Sequence, residues 1–131
     1  MAYRAIWEDD GIKWIFHGDL TNEDFMQRGY ELYEDHRYES IKYQIFDFSD
    51  IDEVMVETDI VQCSASLDAL QSLRNPDVKI AFISVRQVVF GLKRMYETYH
   101  QLEGGSWQCR VFNTEVDARA WFVDETKPLP S

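Results

Sequence analysis

Apolar residues recur along the chain with two different periods, and each change of period marks a new element. Tyr3 to Trp7 alternates loosely, and Ile12 to Phe16 is a second run rich in Trp, Ile and Phe. Between them, Glu8-Asp9-Asp10-Gly11 carries the turn chemistry that closes an antiparallel hairpin. Gly18-Asp19 breaks the second run. Thr21 then caps a helix predicted to reach about Arg37, with Asp24 in the capping-box position. Phe25, Gly29, Leu32, Tyr33 and His36 trace its buried stripe, while Glu23, Gln27, Glu31 and Glu34 face water.

Ile41 to Phe48 is the third strand. Its alternation sets Tyr43, Ile45 and Asp47 against Gln44, Phe46 and Phe48, and apolar residues on both sides predict a central strand. An acidic loop follows. Val56, Ile60, Cys63, Leu67 and Leu70 then recur at helical spacing until Asn75-Pro76 stops the pattern. Val78 to Ser84 is nearly continuous apolar sequence, the mark of an interior parallel strand. A helix from about Arg86 to Leu102 ends at Gly104-Gly105, and Gln108 to Phe112 is the fifth strand. Thr114, with Asp117 at the box position, caps a short final helix that buries Ala118, Trp121 and Phe122. Residues 124–131 read as a loose tail after an ordered core of about 3–123.

The resulting order is ββαβαβαβα. It predicts an α/β fold: a mostly parallel five-stranded sheet with an antiparallel N-terminal hairpin, covered by helices. A chain of 131 residues suits a single domain, and 8 Phe, 7 Tyr and 4 Trp supply it with a core. Charge is uneven. Residues 1–59 carry 16 acidic and 5 basic side chains, a net of −11, whereas residues 60–131 carry 8 of each. Such a field repels phosphates and excludes general nucleic-acid binding. No apolar run approaches the roughly 18 residues of a membrane-spanning helix. The amino terminus lacks the basic start and apolar core of a signal peptide. Cys63, on its helix stripe, is assigned to the core and Cys109 to a strand; neither has metal or redox spacing. A cytoplasmic protein with reduced thiols is expected, with any membrane attachment peripheral.

Several local patterns resemble a known family. Gly18-Asp19-Leu20-Thr21 precedes the first helix, and Asp47-Phe48-Ser49 ends the central strand. Val78-Lys79-Ile80-Ala81-Phe82-Ile83 forms the fourth strand, and Val111-Phe112 leads into Glu115, Ala118 and Trp121. Together they resemble SpoIIAA-like proteins, the fold of anti-sigma-factor antagonists and STAS domains, in the branch grouped with Sec14-type (CRAL-TRIO) lipid-binding domains. The likeness spans about residues 3–123. It implies this fold, and either a lipid-binding or a partner-regulating role. One departure matters. Anti-sigma antagonists carry an Asp-Ser-Ser-Gly-type segment, phosphorylated by a kinase partner, at the start of the helix after the central strand. Here that stretch is Met55-Val56-Glu57-Thr58-Asp59-Ile60. Ser49 and Thr58 are the nearest hydroxyls, so they are the candidate phosphorylation sites, amid Asp50, Asp52, Glu53, Glu57 and Asp59.

Other chemistries find little purchase. The acidic loop offers hard oxygen ligands but lacks the glycine turn of an EF-hand, so no metal and no cofactor is expected. There is no Gly-x-Ser-x-Gly elbow, phosphate-binding glycine loop or His-Glu-x-x-His, and no catalytic residue is assigned. His17, with Asp47 and Phe48, marks a strand-end cleft where open α/β sheets bind ligands.

The helix at 86–102 gives the clearest functional hint. Val88, Val89, Leu92, Met95, Tyr96, Tyr99 and Leu102 form a broad apolar sector, and Phe90 projects opposite among Arg86, Lys93 and Arg94. Burying one Phe contributes roughly 1.5–3 kcal/mol. Each cation at an anionic membrane adds about 1 kcal/mol, which supports only weak, reversible attachment. A medium acyl chain held between helix and sheet is easier to support, at about 0.8 kcal/mol per methylene. The sequence therefore predicts a non-enzymatic module for a small apolar or lipid-like ligand, with Arg86, Val89, Phe90, Lys93, Arg94 and Tyr96 facing ligand or membrane. The alternative is a protein-interaction module of the anti-sigma-antagonist type, and a homodimer or a regulatory protein partner stays open.

Overall fold

The hairpin forms as β1 (Tyr3–Trp7) and β2 (Gly11–Leu20) in a computed structural model that describes residues 3–124. Glu8 donates its N–H to the Gly11 carbonyl at 2.8 Å to close the turn. Helix α1 (Asn22–Glu34) opens on the expected capping box: Asp24 N–H reaches Thr21 Oγ1 at 3.4 Å, and Thr21 N–H reaches Asp24 Oδ2 at 3.0 Å. There follow β3 (Tyr43–Val54), α2 (Thr58–Gln71), β4 (Lys79–Ile83), α3 (Gln87–Leu102), β5 (Gln108–Phe112) and α4 (Glu115–Val123). The expectation of a loose tail at 124–131 lies outside the described residues except for Asp124.

Strand order is β1-β2-β3-β4-β5, with β1 antiparallel to β2 and the remaining neighbours parallel. Because the sheet grows in one direction, right-handed crossovers put α1, α2 and α3 on the same face. That face holds the main core, where Phe16, Phe46, Phe48 and Phe82 pack ring against ring at 5.0–6.1 Å. Among the described residues α4 alone covers the other face, seating Ala118 on Ile45, Ala81 and Ile83 while Phe122 stacks on Tyr43 at 4.4 Å.

Three local expectations are corrected. Helix α1 stops at Glu34 rather than Arg37, because Asp35 takes an extended backbone and accepts the Arg37 N–H at 2.9 Å. A short 3-10 turn follows (His36–Ser40), and His36 is exposed instead of lying on the buried stripe. The acidic loop is largely strand. Strand β3 runs on to Val54 and pairs with a lengthened β2, His17 opposite Asp50 and Leu20 opposite Val54. Gly18, at φ 68°, sits where this pairing shifts register, a backbone state glycine adopts at little cost. Finally, α2 buries Val61, Ser64, Ala65, Asp68 and Ala69, and leaves Cys63 and Leu70 exposed. It is the middle helix of three, and its small residues let it approach the sheet and both neighbours; close packing overrides side-chain hydrophobicity.

Candidate functional site

The carboxyl edge of the parallel strands is tied together by hydrogen bonds between successive connections. Met55 N–H donates to the Leu20 carbonyl at 2.8 Å, and Glu53 N–H to Asp19 Oδ1 at 3.2 Å. Glu57 N–H donates to Asn22 Oδ1 at 2.8 Å, joining the start of α2 to the start of α1. From the N-cap of α3, Arg86 Nη1 reaches the carbonyls of Ile51 at 3.0 Å and Asp52 at 2.5 Å. Three crossover connections are thus held together through backbone groups. Met55 (59% exposed) and Val85 (74%) lie exposed on two of these connections, and Asp52, Glu53, Glu57 and Asp59 are exposed around Met55 in the chain. Thr58 lies in the same acidic stretch as the first residue of α2. Glu57, not Thr58, is the N-cap, and it makes no side-chain capping bond.

The strand-end cleft of His17, Asp47 and Phe48 is not formed. Because β2 and β3 continue past them, His17 and Asp47 lie within strands, and Phe48 is fully buried in the core. His17 pairs in register with Asp50, and Asp47 with Ile15. Ser49 is in mid-strand and spends its hydroxyl on Asp47 Oδ1 at 2.6 Å. Among the described residues no group of three or more His, Cys, Asp or Glu is placed to hold a metal ion.

The α3 residues divide among three places. Arg86 belongs to the carboxyl edge. Val89 and Tyr96 are core residues, 0% and 2% exposed, so neither faces a membrane as expected. Their side of the helix is the one that packs on the sheet. Phe90 is 38% exposed, Lys93 is paired with Glu97 at 2.8 Å, and Arg94 is exposed. No helix among the described residues is long and apolar enough to cross a membrane.

Under the helices lies a buried polar cluster that no sequence motif marks. Arg28 Nη2 donates to Asp68 Oδ1 and Oδ2 at 3.2 and 3.0 Å, and to Ser64 Oγ at 3.3 Å. Its Nη1 shares Gln44 Oε1 with Trp14 Nε1, at 3.3 and 3.1 Å. Tyr96 donates to Asp68 Oδ2 at 2.6 Å, and Tyr33 donates to Oδ1. Burial and the neighbouring carboxylate push both phenols well above their usual range, so they stay protonated donors. Burial works against charge on Arg28, yet Asp68 and the tyrosines hold its guanidinium above its ordinary value. The Asp68 carboxylate is enclosed by donors and offers no open face to a substrate. Its role is to tie α1, α2 and α3 to the sheet. The signal was present: Arg28 lies on the stripe of Phe25 and Leu32, and Asp68 on that of Val61 and Ala65.

No protein-family model matches the chain, and no curated protein matches it by sequence. Solved structures do. A protein from Shewanella loihica PV-4, of the DUF3478 family with a SpoIIAA-like fold, superposes with a TM-score of 0.51 at 18% identity. It covers 92% of this chain and 92% of its own. The Bacillus cell-fate determinant SpoIIAA, in its phosphorylated form, gives a TM-score of 0.55 at 10% identity over 92% of this chain and 98% of its own. The chain has the SpoIIAA-like fold. Identities this low carry the architecture alone. Neither neighbour bears on the Sec14-type branch of the resemblance.

Proposed function

We propose that the protein is a non-enzymatic interaction module of the anti-sigma-antagonist type, docking a partner protein on the carboxyl edge of its sheet. The observation that carries this reading is the frame that Arg86, Asn22 and Asp19 build there, which fixes the backbone on either side of exposed Met55. An exposed apolar side chain on a fixed backbone, flanked by charged residues, has the anatomy of a protein interface. The sign of those charges selects a partner whose contact surface carries Lys or Arg. SpoIIAA, of the same fold, was solved in a phosphorylated form. A phosphoswitch in this chain rests on Thr58, which is exposed, rather than on Ser49, whose hydroxyl is engaged by Asp47. A phosphate on Thr58 adds negative charge to a rim that is already acidic, so modification would tighten the hold on a basic partner. A lipid-like ligand between helices and sheet is no part of this reading, because aromatic rings and the Arg28–Asp68 cluster fill that space.

The test is capture from cell lysate on the immobilised chain, then calorimetry with each captured protein after purification. Binding should weaken by more than about tenfold in Met55→Glu and persist in Val116→Glu on α4. Equal binding by both variants, or a stoichiometric apolar adduct in native mass spectra of the purified chain, refutes the reading.

A further inference from the structure

Gly91 stands in the middle of α3, where nothing in the folded chain calls for a glycine. A Cβ built there meets no atom within 4 Å, and the residue does not adopt the left-handed backbone state. Glycine inside a helix is still disfavoured relative to alanine by about four- to five-fold in equilibrium. Around it, Gly91, Arg94, Met95, Thr98 and Tyr99 line an open depression of about 400 Å³. Met95 and Tyr99 are half-buried, packed on the main core with part of each side chain left to the depression. Arg94 is exposed and its guanidinium makes no ion pair among the described residues, whereas Lys93 is taken by Glu97. A missing side chain, an apolar hollow and an unpaired cation thus coincide on one face.

We propose that this face is a second docking surface, for an acidic amphipathic helix of another protein. The partner's large apolar side chain enters the hollow over Gly91, and its carboxylate pairs with Arg94. A helix is the fitting shape because the absent Cβ lets a second backbone approach α3 closely, as in small-residue helix contacts. A carboxylate is the fitting charge because it forms the strong, forked bond that a guanidinium presents. A second copy of this chain fits poorly: it would bring one net charge of −11 against another. An anionic bilayer would likewise oppose the whole net charge of −11, whereas a short helix needs to bring only one carboxylate to Arg94.

The test is a display selection of helical peptides on the full chain, with counter-selection on Gly91→Leu, whose side chain fills the hollow. Surviving sequences should share one large apolar residue with Asp or Glu about one turn away. Binding of the synthetic peptide should fall at least about tenfold in Arg94→Glu and vanish in Gly91→Leu, while amide shifts in labelled protein centre on Gly91 and Thr98. Gly91→Ala should raise Tm by a few degrees, since the fold has no use for the glycine. A lowered Tm shows that the fold needs it and overturns the proposal. So do survivors that lack the carboxylate, or the absence of any Gly91-dependent survivor. Sedimentation and flotation with phosphatidylcholine–phosphatidylserine vesicles complete the test. Self-association or vesicle binding that Gly91→Leu abolishes assigns the face to a second copy or a membrane, and also overturns it.

Discussion

Arg28 and Asp68 form an ion pair at 3.0 Å in the interior of the protein, their side chains 1% and 0% exposed. The desolvation of two such charges offsets most of their attraction, so the pair adds little over an apolar replacement. Breaking it is another matter. Asp68→Ala strands a buried guanidinium and the Tyr33 and Tyr96 hydroxyls. Urea unfolding should show a loss of about 3–5 kcal/mol. The double variant Arg28→Met, Asp68→Leu should recover most of it. Additive losses in the double-mutant cycle would show that the two residues do not act as a unit.

On the opposite face, Arg119 of α4 grips Glu8 of the hairpin turn with two bonds of 2.7 and 3.0 Å, and Glu115 at 2.8 Å. The side chain is 38% exposed, so water screens the contact, and Arg119→Ala should cost less than about 1 kcal/mol. The contribution has a defined pH window. The Arg119 hydrogen bonds hold Glu8 below its ordinary 4.5. Burial opposes the same trend at Glu115, but Lys13 and Arg119 prevail. Depressed carboxyls stabilise fully above their unfolded value of 4.5 and lose that contribution as pH falls through the lowered native values. The gap between wild type and Arg119→Ala should therefore be fully open at about pH 7 and narrow steadily as pH falls below about 4.5. A gap independent of pH would sink this account.

Where a signal was local, the sequence showed it. The Thr21–Asp24 capping box, the alternation of Tyr43 to Phe48 and the apolar run at 78–83 each carry their pattern in adjacent residues. What stayed hidden depends on distant partners. Asp50, Asp52 and Glu53 look like loop residues, and they are strand because β2 lengthens beside them. Cys63 and Leu70 satisfy helical periodicity, but α2 turns its small face inward because α1 and α3 flank it. Arg28 and Asp68 stand 40 positions apart, and neither is at home in a core until the other is present. The edge around Met55 was legible only as an acidic stretch, since its frame is built from Asp19, Asn22 and Arg86 on other connections.

Gly105 packs against the ring of His100 so closely that a Cβ there would lie 2.1 Å from Nε2. The ring has nowhere to retreat, being stacked on Trp107 at 5.5 Å and Tyr96 at 5.8 Å. Gly105→Ala should lower stability by about 1–3 kcal/mol, the usual cost of overpacking. Gly105→Ala in a His100→Ala background should cost much less, and equal costs in the two backgrounds would place the strain elsewhere.

His100 also gives the fold a pH dependence of known sign. Its Nε2 accepts the Trp107 N–H at 3.1 Å, so that nitrogen is unprotonated and the neutral ring carries its proton on Nδ1. Protonating Nε2 would set one donor against another. Burial holds the imidazole below its ordinary 6.5, against the pull of Asp68. The unfolded chain takes up a proton as pH drops below 6.5, whereas the native ring does not until its lower value is reached. From this group, stability is level above about pH 6.5 and falls below it, by at most about 1.4 kcal/mol per pH unit. His100→Gln cannot titrate, so it should be less stable than wild type at about pH 7.5 and lose less between there and about pH 5.5. Parallel urea-midpoint profiles for the two proteins across that interval would show that the buried ring is not the titrating group.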